Sequence, residues 1–318
     1  MFVRFLVKCL FLIGMQLTLN VSAEDIETDS KPMEEVAEEI ADDLHESLSD
    51  NIIYFSNLLD NFFVDERMDD EGSHSRVILG YLTSTDDLQT IHSQYLLKVR
   101  LHLPKTQNKL RLVVESSVDF DQDTDEVNIT DDSKDAEYST ALQFVFTESK
   151  LWQFSSSAGM LFSTPLNPFL RMRLRRLFLL GEWESRITQT FFWFNAEGIG
   201  ETTSLDFERK INDAFFFRVS SKATIVEEEP TEVSGNQNFS LFQRLSSKKG
   251  LVYSIGADGL LNPPPHVSRY YTNVRFRHNF YKKWAFYEVV PGVEFYREDH
   301  FNESPFLLLK LDIVIGKV

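Results

Sequence analysis

His266 and Ser268 are the residues best suited by type for covalent catalysis, and one residue separates them. A histidine next to a serine can remove the hydroxyl proton and create a nucleophile, provided that a third group orients the imidazole. Here the pair follows Pro263-Pro264-Pro265, and the sequence offers no evident orienting group. A lipolytic enzyme is therefore only a remote alternative, and we expect no catalytic residues.

Alternating aspartates form a second group of chemically active residues, at Asp119, Asp121, Asp123 and Asp125. Carboxylate oxygens are the ligands that calcium prefers, but an EF-hand register starting at Asp121 would place Glu126 where the sharp turn needs glycine. We therefore predict no metal site and keep these aspartates as weak candidates for loose calcium or magnesium binding. No phosphate-binding glycine loop or dinucleotide fingerprint is present, so no cofactor is expected.

Charged residues also recur at every second position within apolar segments, and alternate residues of a β-strand share one face. If the apolar faces meet lipid, the charged faces line the interior of a barrel. The residues assigned to that interior are Arg171, Arg173, Arg175, Arg186, Asp206, Glu208, Arg218, Lys222, Arg244, Arg275, Arg277, Glu288, Glu294, Lys310 and Asp312. They form either a lattice of salt bridges that fills the interior or the lining of a pore that favours anionic solutes.

The elements that would position these side chains are β-strands, because the period of the apolar pattern is close to two from about residue 72 onwards. The last strand shows it best, with Leu307, Leu309 and Leu311 opposite Lys310 and Asp312. Thirteen such runs follow Leu96, and Arg76–Thr83 supplies one more before them. The sequence thus predicts an all-β, antiparallel transmembrane barrel of 14 strands, with 12 as the alternative, in residues 73–318.

The connections and the aromatic residues favour a membrane barrel over a soluble β-sandwich, which stays open as an alternative. Short turns such as Gly181–Glu182 alternate with longer polar loops such as Phe120–Tyr138, which is the layout of outer-membrane barrels. Aromatic residues cluster near predicted strand ends at Phe191–Phe194, Tyr270–Tyr271 and Trp284–Tyr287, where interfacial girdles would lie.

The first residues predict export. Residues 1–23 contain Arg4 and Lys8, an apolar run and Val21-Ser22-Ala23, which is the pattern of a secretory signal peptide. Residues 24–71 then hold 18 acids and two bases, whereas residues 72–318 hold 31 acids and 28 bases. The net charge of −17 therefore comes almost entirely from the N-terminal segment, and nothing in the chain is basic enough to predict nucleic-acid binding.

The acidic segment, residues 24–72, is predicted to be periplasmic and to contain an amphipathic α-helix at about 33–63. Its apolar residues recur every three or four positions, from Met33 and Val36 to Leu59 and Phe62, and carboxylates occupy the other side. Three interpretations stay open. The apolar stripe packs on the barrel or on a second copy, the helix plugs the barrel mouth, or it binds a periplasmic partner.

Several stretches resemble a family of uncharacterised proteobacterial outer-membrane barrel proteins, and the resemblance covers roughly Leu96 to the end. The clearest are Leu166–Arg176, Arg186–Arg209, Leu241–Gly259 and Arg269–Asp299. This resemblance implies the barrel fold and an outer-membrane location but no activity. The chain departs from the common pattern of such barrels because it ends in Val318 rather than in an aromatic residue.

The sequence as a whole predicts an integral, multi-pass protein of the bacterial outer membrane with both termini in the periplasm. Its function is expected to be structural or channel-forming rather than enzymatic. The alternative is an anion-preferring pore that is gated or plugged by the acidic helix. The expected partners are outer-membrane lipid and lipopolysaccharide and the barrel-assembly machinery, with a periplasmic protein bound by the helix as an open alternative.

Overall fold

The structure is a computed structural model that describes residues 75–86, 90–103, 109–117, 137–149, 151–227, 232–262, 264–282 and 284–316. All of these residues belong to the second of two units, Ile52–Val318. The predicted helix at 33–63 and the candidate aspartates at 119–125 lie outside the described residues. In the described ranges no helix is long and apolar enough to cross a bilayer.

Fourteen antiparallel strands form a closed barrel in which each strand pairs with its neighbours in sequence and β1 pairs with β14. The strands are β1 (Arg76–Asp86), β2 (Thr90–His102), β3 (Leu110–Ser117), β4 (Glu137–Glu148), β5 (Trp152–Phe162), β6 (Asn167–Leu180), β7 (Trp183–Phe194), β8 (Gly198–Lys210), β9 (Phe215–Val226), β10 (Val233–Ser246), β11 (Lys249–Leu260), β12 (His266–Tyr281), β13 (Ala285–Tyr296) and β14 (Glu303–Gly316). The predicted count of 14 is confirmed, and closure leaves no unpaired strand edge.

The two ends of the barrel differ less in their connections than the sequence suggested. At the end where β1 begins and β14 ends, which we call the turn end, two to seven residues join consecutive strands. At the opposite end, the loop end, three to six residues do so, apart from the single longer connection of 19 residues, 118–136, between β3 and β4. The residues 198–201 and 233–237, predicted to be loop, lie in β8 and β10 because ladder pairing continues across them.

The outer surface of the barrel is apolar. Side chains that point outwards include Leu309 and Leu311 on β14 and Tyr95 on β2, all of which are exposed. Among the described strand residues, charged side chains on this surface are confined to positions near strand ends. They are Arg176, Glu201, Arg209, Lys249 and Glu303.

Polar uncharged groups on the outer surface satisfy one another across neighbouring strands. Thr203 donates a hydrogen bond to Gln189 at 2.6 Å, and Ser221 donates one to Gln237 at 2.6 Å. Such pairing lowers the cost of holding a polar group away from water. The outer surface is therefore compatible with a hydrocarbon environment.

Four inward-pointing aromatic rings each cover a glycine directly opposite on the neighbouring strand. The pairs are Phe169 with Gly159, Phe192 with Gly200, Tyr271 with Gly256, and Phe306 with Gly292. A Cβ at any of these glycines would overlap the ring. Each ring therefore lies against the barrel wall, and all four pairs are on hairpins that close at the loop end.

These pairs correct the predicted aromatic girdles. Phe191 and Trp193 point outwards as expected, with Phe191 50% exposed, but Phe192 and Phe194 point inwards and are buried. Tyr271 is likewise buried on the inside. The reason is strand geometry, because successive side chains of a strand must point to opposite faces.

Replacing Gly292 with alanine should destabilise the barrel by about 1–3 kcal/mol, the usual cost of overpacking. The added methyl group would meet the ring of Phe306 and the Cβ of Asn273. Urea unfolding of the refolded protein, followed by tryptophan fluorescence, measures the loss. A Phe306→Leu background should remove most of it, and an equal loss in both backgrounds would show that the ring is not the cause.

Candidate functional site: the charged interior

A group of buried charges in the barrel interior lies on β12, β13 and β14. The Arg277 guanidinium donates to the carboxylates of Glu288 and Asp312, with 2.9 Å between its Nη1 and the Asp312 Oδ2. The Lys310 ammonium lies 3.4 Å from the same Asp312 oxygen. Arg277, which is 0% exposed, also lies over the Phe286 ring at 4.5 Å. Two carboxylates and two bases thus neutralise one another on adjacent strands.

A second group of ion pairs lies on β7, β8 and β9. The Nε of Arg218 donates to Glu208 at 2.8 Å, and the guanidinium lies over the Phe242 ring at 4.9 Å. Arg186 donates to Glu184, two residues earlier on the same strand, at 3.1 Å. Hydrogen bonds to charged groups are stronger than neutral ones, so these contacts fix the side chains in place.

A third group lies towards the loop end and was not predicted from the sequence. Arg269 donates to Asp258 on β11 and to Glu294 on β13, the latter at 3.0 Å, and its guanidinium lies over the Tyr271 ring at 5.0 Å. Of these residues only Glu294 was among the predicted interior charges. Arg269 and Tyr271 lie two residues apart, so the alternation of the strand could have placed Arg269 inside. Its pairing with Asp258 was harder to predict, because a bulge between Asp258 and Gly259 shifts the register.

Three of the predicted interior charges lie two residues apart on β6 and form an arginine ladder on the interior face, as the register requires. Arg171, Arg173 and Arg175 stand opposite Ser157, Ser155 and Gln153 of β5. Arg175 is buried, whereas Arg171 and Arg173 are partly exposed. The ladder therefore presents guanidinium groups to the interior next to small polar residues.

All fifteen residues predicted as interior charges lie on strands and share the interior face, and none is exposed. The described side chains on that face include sixteen lysines and arginines and seven acids. The bases are Arg76, Lys98, Arg100, Arg111, Arg171, Arg173, Arg175, Arg186, Lys210, Arg218, Lys222, Arg244, Arg269, Arg275, Arg277 and Lys310. The acids are Glu184, Asp206, Glu208, Asp258, Glu288, Glu294 and Asp312. Bases thus outnumber acids about two to one among these side chains.

The interior also contains apolar side chains that the sequence did not predict there. One cluster comprises Leu82, Val290, Phe306 and Leu308, and another comprises Ala141, Phe169, Phe192 and Phe194. These residues are buried, and Leu308 is completely so. The interior therefore combines ion pairs with apolar patches and is not lined by charge alone.

His266 and Ser268 show no arrangement for catalysis. Within the described residues, the imidazole Nδ1 lies 3.3 Å from the carbonyl oxygen of Pro264, and no hydrogen bond joins it to the Ser268 hydroxyl. No group of three or more histidine, cysteine or acidic side chains that could hold a metal ion occurs in the described part of the chain.

Comparison with solved structures finds similar chains among porins and outer-membrane channels. The KdgM porin matches with a TM-score of 0.36 and 6% sequence identity, over 74% of this chain and 98% of the porin. The NanC porin matches with a TM-score of 0.37 and 7% identity, over 75% and 98% of the two chains. The outer-membrane channel DcaP of Acinetobacter baumannii gives 0.43 and 8%, over 76% and 96%.

Sequence comparison adds no relative. No protein-family model matches the chain, and no curated protein matches it. The resemblance to uncharacterised proteobacterial barrels therefore stays a prediction.

Proposed function

We propose that this chain is an integral outer-membrane barrel that provides a passage for anionic solutes. The observation that carries the proposal is the excess of bases among the described side chains of the interior face, with the partly exposed Arg171 and Arg173 among them. A narrow, low-dielectric passage lined by one sign of charge concentrates ions of the opposite sign. The apolar outer surface and the even number of strands support the membrane location.

We expect the ladder to be the part of the interior that contacts a solute, because two of its residues are partly exposed. Arg171 and Arg173 stand opposite serines, whose hydroxyl groups can hydrogen-bond an anion without repelling it. Arg277, Arg218 and Arg269, in contrast, are buried. Sulfonate, carboxylate or phosphate groups fit this surface better than cations do.

The acidic N-terminal segment is proposed as a gate for this passage. Residues 24–71 carry 18 acids and two bases, which complements the sign of the interior. Attraction between the two would weaken as salt screens it, because the screening length falls from about 10 Å at 0.1 M salt to about 3 Å at 1 M.

A specific observation also favours a second function, that of a closed structural barrel. Arg277, Glu288 and Asp312 are buried, and apolar clusters occupy other parts of the interior. A barrel filled in this way would anchor a periplasmic segment or a partner without conducting ions.

Planar-bilayer recording with the full chain separates these functions. A channel should give discrete conductance steps and a reversal potential that shows anion preference under a potassium chloride gradient. Replacing Arg171, Arg173 and Arg175 together with glutamine should reduce that preference by about tenfold, at the low end of electrostatic focusing effects. Arg297→Gln, in the β13–β14 connection, is the control.

The gate is tested in the same recordings. Deleting residues 24–70, or raising the salt concentration, should increase the open fraction if the acidic segment closes the passage. Bilayers that stay silent for both the full and the shortened chain would reject the channel and favour the structural barrel. An open fraction that is unchanged by the deletion would reject the gate alone.

A further inference from the structure

The two ends of the barrel carry opposite charge. At the loop end, the segments between strands contain 16 acids and two bases, whereas at the turn end they contain two acids and six bases. The described acids at the turn end are also neutralised. Glu182 pairs with Arg209, and Asp213 lies 2.8 Å from the Lys210 ammonium, which holds the pKa of that carboxyl below its usual range.

Charged residues on the outer surface follow the same division. Arg176, Arg209 and Lys249 lie near the turn ends of their strands, whereas Glu201 and Glu303 lie near the loop ends. A charge facing lipid is costly at the middle of a bilayer and far less so near the headgroups. The positions of the three bases therefore mark the level at which the turn end meets the membrane interface.

Arg176 is the most informative of these bases. It points outwards from β6, and its guanidinium carbon lies 4.5 Å from the ring centroids of both Trp152 and Phe178. The described residues provide no carboxylate partner for it. Two aromatic rings thus hold a guanidinium group on the lipid-facing surface. A guanidinium group is a planar donor that can bind a phosphate.

Two other places at the turn end repeat the combination of a base and an aromatic ring. Arg209 lies over Trp183 at 5.6 Å, and Lys282 lies over Tyr281 at 5.5 Å. Trp284 is exposed in the same turn as Lys282. Indole and phenol rings prefer the headgroup level of a bilayer, so the bases beside them lie within reach of lipid phosphates.

We propose that this turn-end surface, centred on Arg176, binds the phosphate groups of anionic phospholipids in the adjoining leaflet. The inference rests on the membrane location proposed above but is independent of conduction. Arg176 provides paired N–H donors for a phosphate, Trp152 and Phe178 contact the glycerol and upper acyl region, and the remaining bases add attraction without a fixed geometry.

Native mass spectrometry of the full chain, released from micelles that contain equal amounts of phosphatidylglycerol and phosphatidylcholine, tests this proposal. The wild-type protein should retain phosphatidylglycerol in preference. Arg176→Gln should reduce the preference about fivefold, and Lys248→Gln, in an exposed turn, should reduce it by a smaller factor. Arg297→Gln removes the same charge at the loop end and should leave the preference unchanged.

Two results would overturn the proposal. Equal losses in the Arg176 and Arg297 variants would indicate a general charge effect, and no preference in the wild-type protein would show that no such site exists. Folding of each variant is checked by its heat-dependent gel migration, and Lys248→Gln still tests the surface if Arg176→Gln does not fold. Failure of the wild-type protein to insert into vesicles would instead contradict the membrane location.

Discussion

Replacing Arg277 with methionine is expected to destabilise the barrel by about 3–5 kcal/mol, the usual cost of removing one partner from a buried ion pair. Arg277 is the common partner of Glu288 and Asp312, which reach it from two consecutive strands. Without it, two buried carboxylates would share Lys310, which lies 3.4 Å from Asp312 and stands opposite Glu288. The measurement is urea unfolding of protein refolded into phosphatidylcholine vesicles.

A triple variant separates the loss of the base from the loss of packing. Arg277→Met, Glu288→Gln and Asp312→Asn together remove all three charges and keep side chains of similar size, so most of the stability should return. Arg297→Met serves as the exposed control and should change the unfolding free energy by less than about 0.5 kcal/mol. If the single Arg277 variant is as stable as the triple variant, the network does not act as a unit.

Replacing Leu309 with arginine is expected to cost about 2–4 kcal/mol, because this residue lies midway along β14 on the outer surface. Leu309 is 45% exposed, and its strand neighbours on that surface are Val289 and Thr83. In water the same change would be nearly neutral, since it would replace an exposed apolar side chain with a charged one. The size of the effect therefore reports on the medium around the barrel.

Ile211→Arg is the matched control for this experiment. Ile211 is also exposed and apolar, but it lies in the turn between β8 and β9. Near the interface the cost should fall to about 0–1 kcal/mol. Equal and small effects at the two positions would contradict a membrane location, and the comparison needs only vesicle refolding and urea titration.

The strands could be predicted from the sequence because alternation directly reflects a surface with two unlike faces. In β14 the alternate apolar residues Leu307, Leu309, Leu311, Ile313 and Ile315 point outwards, and Lys310 and Asp312 point inwards, as expected. The ends of strands were harder to predict. The glycine-rich residues 198–201 continue β8, since backbone pairing with β7 does not depend on side-chain hydropathy.

The interior charges were predictable in position but not in partnership. Every second residue from Arg186 onwards points inwards, which places Phe192 inside. The four consecutive aromatic residues Phe191–Phe194 hid this alternation in the sequence. The residues that pair across strands are set by the register. Alternation of apolar and polar residues does not distinguish registers that differ by two residues. The contact of Arg269 with Asp258 illustrates the limit, because a bulge after Asp258 changes the register of β11 against β12.

The pairing of β1 with β14 also has a consequence for the order of assembly. Arg76 stands opposite Gly316 and Thr85 opposite Leu307, so the seam joins segments more than 220 residues apart in the chain. The other thirteen pairings are between consecutive strands and require only short-range encounters. Bringing distant segments together is slow, since the chain entropy of a large loop must be lost before the contacts form. The seam is therefore expected to form last, and until then β1 and β14 present two free edges on which other chains can add strands.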